Sequence, residues 1–431
     1  MYRIQIYTLY TAMFLIAFPS LRVGNAPISF ADVLLILLFM SLLLEAFSGK
    51  KIGIAAHSIV IVWLISGCFI VIGLLVSNLL HSVGSLSSFS RIAQYAFSYL
   101  LVPITLAVLL QRTPAEQALL WCVWGFFASA AIAVATAMLS PDLYRGLVEV
   151  GFFPVEDRVG GFVGPNGLAK TIALLTPYLL WKISTERSYP VKYTVVFLVF
   201  ALGVIGAASV AGVSAFGVAM VLTLLAFPRA TLRLIVPVTM VSVVFVAVPL
   251  SALTNEKVAA SLERLSKAWE MGGVVGSPSY DIRTWLVEEA RGFIEESPLI
   301  GIGAGRYEHL SLFGIQVHNT YLLLWCEGGI VALMGFLTFA TLPAAHAILG
   351  RVFSILLSRK VSSAAPHAPL LLIVSVIFCM NAFTNTNSFS RFTVVPFLLM
   401  VFYYIEKERE RSEMALQTGT SRDGRVYGAS A

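Results

Sequence analysis

Hydrophobic and polar positions along this chain alternate in long blocks, not at the two-residue period of a half-buried strand. Apolar blocks occupy 5–19, 30–47, 58–80, 92–111, 117–139, 167–184, 191–207, 211–228, 234–253, 319–345, 369–387 and 392–405. At about 17 to 25 residues per crossing, this pattern predicts an all-α polytopic integral membrane protein of about twelve transmembrane helices. Both termini then fall on one side. Two connections are longer than the rest: 140–166, and 254–318 between helices 9 and 10. The chain divides into 1–253 with helices 1–9, the large loop 254–318, 319–405 with helices 10–12, and a tail 406–431. The tail ends in "QTGTSRDGRVYGASA", a polar composition that predicts disorder.

The large loop is not composed like a disordered segment. Val258, Leu262, Leu265 and Trp269 recur at helical spacing, with Gly272 and Gly273 as a stop, which predicts a helix lying on the membrane surface or on the bundle. A second helix is predicted in "SPSYDIRTWLVEEARGFIEESPLIG". Asp281 is its expected cap, Ile282, Leu286, Ala290 and Phe293 or Ile294 form its apolar stripe, and Pro298 lies past its end. The segment "GIGAGRYEHLSLFGIQVHN" then returns the chain to the membrane through a glycine-rich, flexible turn.

Composition agrees with this reading. Of 431 residues, 58% are hydrophobic and 12% charged, against roughly a quarter charged in a soluble domain. The positions of the charges set the orientation. With a cytoplasmic N-terminus, the cytoplasmic segments hold about 17 of the 29 Lys and Arg, while the short outside loops hold only Arg22, Arg91 and Arg391. Both termini are therefore expected in the cytoplasm, with loops 140–166 and 254–318 outside. The net charge of +6 expresses this topology and does not point to nucleic acid. Cys68, Cys122, Cys326 and Cys379 all lie in apolar blocks, so no external disulfide is expected. The first block has one basic residue before it, Arg3, and no small-residue cleavage site closely after it, and is read as a span.

Few residues on the outside face carry chemistry. Arg283 lies in the first turn of the second loop helix, where a cation opposes the helix dipole at about 0.3 to 1 kcal/mol. It is either a solvated arginine near a carboxylate or a phosphate ligand, since a guanidinium offers a permanently charged planar fork. In "EDRVGGFVGPNGLAK", Gly160, Gly161, Gly164 and Gly167 permit tight turns and Asn166 is a candidate helix cap. Arg158 and Lys170 add positive charge on the side of Arg283, which fits an anion site. His318 and Asn319 stand at the mouth of the tenth apolar block, with Asn319 as its cap and His318 either packed or functional. Glu327 falls deeper within that block, where a carboxylate costs about 2.5 to 3.5 kcal/mol and normally faces a bundle interior. Gly328 and Gly329 beside it allow close helix approach, so Glu327 reads as an anchor for the helix that presents His318. "GIGAG" at 301–305 lacks the spacing of a nucleotide loop. No metal-ligand or serine-nucleophile motif stands on the outside face, so no cofactor is expected.

Three stretches together resemble the bacterial O-antigen ligase and polymerase family. "DRVGGFVGPNGLA" resembles its R-x-G-x-x-x-x-P-N-x-x-A motif. "RTWLVEEARGFIEESPLIGIGAGRY" resembles R-x-x-x-W followed by P-L-x-G-x-G, and "HNTYLLLWCEGGIVAL" resembles H-N-x-x-L-x-x-x-x-E-x-G. The resemblance implies a metal-independent, inverting glycosyltransferase at the outer face of the bacterial inner membrane. Its donor would be a glycan on undecaprenyl diphosphate, and its acceptor a glycan or lipid A core. Other polysaccharide-assembly membrane proteins are possible partners. Arg283 then contacts the diphosphate and His318, with an ordinary pKa near ~6.5, accepts the acceptor's proton. Arg158, Asn166, Lys170, Arg306 and Asn319 are candidate substrate contacts, and Glu327 and Gly303 structural ones. One departure is "SVAGVSAFG", 209–217, where many relatives end such a stretch in Ser-Arg. Arg158, Lys170, Arg91 or Arg391 must then supply the second positive charge. The competing reading is a transporter or flippase of a polyprenyl-linked or other amphipathic substrate, disfavoured by a single large external loop in place of paired halves.

Overall fold

The computed structural model describes residues 2–21, 28–50, 57–81, 83–154, 158–186, 191–230, 278–357, 367–384 and 390–423, with isolated positions between 232 and 270. Described residues are helical throughout their regular elements. In chain order these are α1 (Tyr2–Leu15), α2 (Phe30–Phe47), α3 (Ser58–Leu80), α4 (Leu86–Ala96), a π turn (Phe97–Leu101), α5 (Val102–Leu109), α6 (Ala115–Leu139) and α7 (Pro141–Glu149). A 3₁₀ turn (Gly161–Val163) leads to α8 (Pro165–Thr185), α9 (Val191–Ala207) and α10 (Val210–Ala226). The last five are α11 (Pro278–Glu296), α12 (Arg306–Leu310), α13 (Thr320–Leu357), α14 (Ala368–Phe383) and α15 (Arg391–Asp423).

Among the described residues, five helical stretches are long and apolar enough to cross a membrane: Phe30–Phe47, Ser58–Leu80, Leu86–Leu109, Ala115–Leu139 and Thr320–Leu349. Three shorter apolar helices, α9, α10 and α14, accompany them. The expected count of about twelve therefore reduces to an all-helical chain with several spans. All of the block at 234–253 except Ile235 and Thr239, and the helix of Val258, Leu262, Leu265 and Trp269 with its stop at Gly272 and Gly273, lie outside the described residues. The bundle's outer surface is apolar, with Ile36, Leu37, Met40 and Leu44 of α2 and Ile61, Ile65, Phe69 and Ile72 of α3 exposed, as a lipid-facing surface requires.

The centre of the bundle is α8, whose composition is less apolar than that of α6, α9, α10 and α14. It packs against α6, α9, α10, α14 and α15 and is buried on nearly every face. Several of its polar side chains are satisfied inside the protein. Thr171 Oγ1 donates to the carbonyl of Phe392 at 3.0 Å, and Pro396, four residues on, has no N–H to occupy that carbonyl. Pro343 leaves the Phe339 carbonyl of α13 open in the same way, and buried Trp63 of α3 donates Nε1–H to it at 2.8 Å. The α3–α13 contact is close because a Cβ on Gly73 would lie 2.8 Å from Gly328 O and one on Gly335 2.7 Å from Ser66 O.

At one end of the bundle α2 begins with a capping box of Ser29 and Asp32, and Asp32 also pairs with Arg391 at the start of α15. Arg391 Nε reaches Asp32 Oδ1 at 2.7 Å and a second nitrogen bonds Oδ2, so both prongs of its fork are engaged. At the other end Lys182 pairs with Glu116, and Arg112 with Glu45 at 2.9 Å. Helix α15 continues through Asp423, well into the stretch from 406 whose composition predicts disorder. Ion pairs Lys407–Glu410 at 3.0 Å and Arg409–Glu413 at 3.8 Å have the spacing that supports an exposed helix.

Candidate functional site

Outside the spans a second, small core forms around α11. Leu286, Ala290 and Ile294 recur every four residues on one face and are buried against Ile302, Tyr307, Val317, Leu323 and Cys326. Ile282, the expected start of this stripe, is 41% exposed. The helix begins at Pro278, so Asp281 falls inside the first turn and not at the cap. Tyr307 Oη lies 2.8 Å from Leu286 O and 2.9 Å from Glu289 Oε2, and Glu289 Oε1 accepts the Leu312 N–H at 2.9 Å. Burial, then the Glu289 carboxylate, push the Tyr307 phenol well above its usual range, so it stays a neutral donor. This core holds Arg283, one turn from Leu286, in a fixed position above the bundle.

The glycine-rich return is an ordered splice and not a flexible turn. Helix α13 is broken at Gly329, whose φ of 68° and ψ of −168° are not helical. The break opens two carbonyls, and the incoming chain fills both: Ile302 N–H donates to Cys326 O at 2.7 Å and Gly303 N–H to Glu327 O at 3.0 Å. Trp325 Nε1–H closes the other side on Pro298 O at 2.9 Å. Gly303, at φ 108°, sits where a Cβ would lie 3.0 Å from Val83 and 3.2 Å from Asn78 Oδ1, the atom that accepts the Ala304 N–H at 2.6 Å. Glu327 is fully buried at this junction, facing the amides of Gly305 and Tyr307 and the charge of Arg91. Its oxygens reach hydrogen-bond geometry with none of the described residues.

His318 comes next to the splice. Asn319 fixes it, because its Oδ1 accepts the N–H groups of Tyr321 at 3.0 Å and Leu322 at 3.2 Å and so caps α13 as the sequence predicts. That oxygen is committed to the cap. The His318 imidazole is half-buried, and its pKa is pushed down to about 4, first by burial and then by the positive charges of Arg283 and Lys170. Lys170 is only 3% exposed. Its Nζ donates to Thr384 O at 2.5 Å, and Asn381 Nδ2 donates back to the Lys170 carbonyl at 3.0 Å. Three basic groups from three distant parts of the chain thus act on one another where α8, α11, α13 and α14 meet.

The other sequence candidates lie elsewhere. Asn166 is exposed in the first turn of α8 and does not cap it; the cap position is Gly164, which makes no side-chain bond. Arg158 is held through its backbone, its carbonyl accepting from Tyr144 Oη at 2.5 Å while Val159 N–H reaches Gly206 O at 3.0 Å. Arg306 turns back on Ile302 O at 3.4 Å. Arg91 pairs with Glu308 at 3.4 Å, and Arg391 is taken by Asp32. Of the four alternatives for a second positive charge, Lys170 acts on both Arg283 and His318. Sequence reasoning missed Asn381 and Thr384, which hold Lys170; their signal was the polar run "NAFTNTN" at the end of an apolar block. It missed Asn78 as well. The departure stretch 209–217 begins α10, with Ser209 Oγ accepting the Gly212 N–H at 3.3 Å, and packs Gly212 directly on Ala169, next to Lys170.

No curated protein matches the chain. A family model described as O-antigen ligase matches residues 195–337, the stretch from α9 to the middle of α13 that contains Arg283, the 298–303 splice, His318 and Glu327. Over residues 195–337 this multi-pass membrane protein is therefore similar to the O-antigen ligase family.

Proposed function

We propose that the protein is a metal-independent, inverting glycosyltransferase that uses an undecaprenyl-diphosphate-linked glycan at the periplasmic face of the bacterial inner membrane, in assembly of O-antigen or exopolysaccharide. The observation that carries this reading is the convergence of Arg283, Lys170 and His318 at the foot of the external core. An arginine and a buried lysine beside a half-buried imidazole suit a substrate that brings its own negative charge. The diphosphate lies against Arg283 and Lys170, and the acceptor hydroxyl against His318. As the acceptor oxygen bonds the anomeric carbon from the opposite face, the carbon–oxygen bond to the diphosphate breaks and its electron pair leaves on the diphosphate. His318 takes the hydroxyl proton. Charge growing on the leaving group is stabilised by donors already in place, so little reorganisation is needed during the reaction. The termini lie in the cytoplasm, following the Lys and Arg distribution.

The Arg283 fork has a direct test. Arg283→Lys keeps the charge but loses paired donation, so kcat/KM for the lipid-linked donor is expected to fall about 10–100-fold, the worth of one charge-assisted hydrogen bond. Unchanged kcat/KM would remove the forked contact. The function as a whole is tested by the length-resolved surface glycans of a deletion strain, with the carrier-linked pool beside them. Full-length polymer stranded on the carrier identifies a ligase, and single repeat units on carrier or acceptor identify a polymerase. Unchanged glycans would overturn the transferase reading in favour of transport.

A further inference from the structure

The end of the bundle opposite His318 holds a second cluster of chemistry-bearing side chains that the transfer reaction does not use. His57 precedes α3, His346 lies near the far end of α13, and Glu408 lies on α15 beyond its apolar part. At ~1.5 Å per residue, the length of α3 alone separates this cluster from the His318 face by about 30 Å. One candidate ligand atom from each of the three lies within 4.8 Å of the others. Glu408 Oε2 is shared between the two rings, at 3.5 Å from His346 Nε2 and 3.9 Å from His57 Nε2, and the ring centroids are 5.2 Å apart at 68°. Both nitrogen–oxygen distances exceed the ~2.7–2.9 Å of a charge-assisted hydrogen bond. They suit an arrangement with an ion between the groups, since bonds of about 2.0–2.1 Å from a tetrahedral metal place its ligand atoms roughly 3.3 Å apart.

We infer that His57, His346 and Glu408 form a binding site for a divalent transition metal of the zinc class. Two imidazoles and a carboxylate are a donor set of that class, less suited to magnesium or calcium, which take oxygen ligands. Tyr404 faces the Glu408 carboxylate as an outer partner of the kind that orients metal-ligating groups. The three side chains are partly exposed, which leaves a route for the ion. His57 and Glu408 also border a cavity of about 580 Å³, with Gln111, Arg409 and Phe402 on its walls, so a fourth coordination position can face that space. The ion joins α3, α13 and α15 through one side chain at each. Coordination also changes a local bond. His57 Nδ1 accepts the Ile59 N–H at 3.3 Å as the α3 cap, and a metal on Nε2 puts the proton on Nδ1 and ends that cap.

The test uses the full chain in nanodiscs, stripped with chelator, loaded with Zn²⁺ and desalted. Bound metal per chain and thermal unfolding are both read. The expected result is a single Zn²⁺ retained per chain with a raised Tm, because an ion that binds only the folded state stabilises it. His346→Gln is expected to lose both. His57→Asn separates coordination from capping, since asparagine caps helices well; it is expected to lose zinc while keeping the metal-free Tm. No retained zinc in the wild-type chain, or wild-type retention in both variants, would overturn the site. Neither outcome touches the transferase reading, whose residues lie at the other end.

Discussion

His318→Gln is expected to lower glycan transfer by about 10²–10⁴-fold while leaving donor binding near wild type, the usual contribution of a positioned general base. Glutamine keeps a polar side chain of similar reach, and the α13 cap belongs to Asn319, so the helix start should survive. What disappears is a group that accepts a proton and holds it. The pH dependence carries a second signature. In the free protein the imidazole is pushed down to about 4 by burial and by Arg283 and Lys170, so it is neutral, and able to accept a proton, at every pH above that value. The acid limb of kcat/KM, which reports free-enzyme groups, should therefore lie near about 4 and not near the ordinary ~6.5. Removing a neighbouring cation acts in the opposite direction to burial, so Arg283→Gln should move that limb upward. A bound diphosphate offsets the same cations and should raise the limb in kcat relative to kcat/KM. Transfer by purified protein with a defined lipid-linked donor, measured from acid to neutral pH beside a donor-binding assay, reads all of this. Full transfer by His318→Gln, or an acid limb unaffected by Arg283→Gln, would end the base assignment.

The parts of this protein legible in its sequence are those set by neighbours along the chain. Asn319 caps α13 because capping needs only an Asx side chain two and three residues before the amides it accepts. The buried stripe Leu286, Ala290, Ile294 follows from spacing on one helix. Charge asymmetry and apolar blocks likewise announce a membrane bundle. The rest depends on contacts between distant residues. Helix α8 is less apolar than α6, α9, α10 and α14 yet forms the centre, because polar groups such as Thr171 and Lys170 meet a proline-opened carbonyl and a helix end more than 200 positions away. Lys170 could not be chosen over Arg158, Arg91 and Arg391 until Asp32 and Glu308 were seen to occupy two of them. The pair Gly328–Gly329 was readable as a close helix approach, and Gly328 does meet Gly73 of α3. That Gly329 instead breaks the helix to admit the 298–303 segment has no local signature. Both glycines look alike in sequence, and only the partner backbone distinguishes them.

Gly329→Val is expected to be the most damaging single substitution outside the basic cluster. The native φ of 68° with ψ of −168° belongs to a region that is essentially reserved for glycine and costs other residues of order 1–3 kcal/mol. Space is absent as well: a Cβ at this position would stand 2.2 Å from Leu299 O and 2.6 Å from Ile300 C, both backbone atoms with no rotamer to yield. A β-branched side chain adds to both terms, so a loss of about 3 kcal/mol or more is expected. The contact is equally close from the other side, where a Cβ on Gly301 would lie 2.6 Å from Gly329 N. The Ile302 and Gly303 bonds to the broken helix must then part, and with them the placement of the chain that leads to His318. Thermal unfolding in detergent should show a markedly lowered Tm, and any folded fraction should transfer poorly. Gly292→Ala supplies the contrast. It lies inside α11 with nothing within 4 Å of an added Cβ, and alanine there should be neutral or stabilising by about 0.5–1 kcal/mol. A Gly329→Val protein with wild-type Tm and transfer would mean that the splice does not hold the site together. The expected loss would mean that stability and catalysis share this junction, since the bonds that close the break in α13 also anchor the segment between Arg283 and His318.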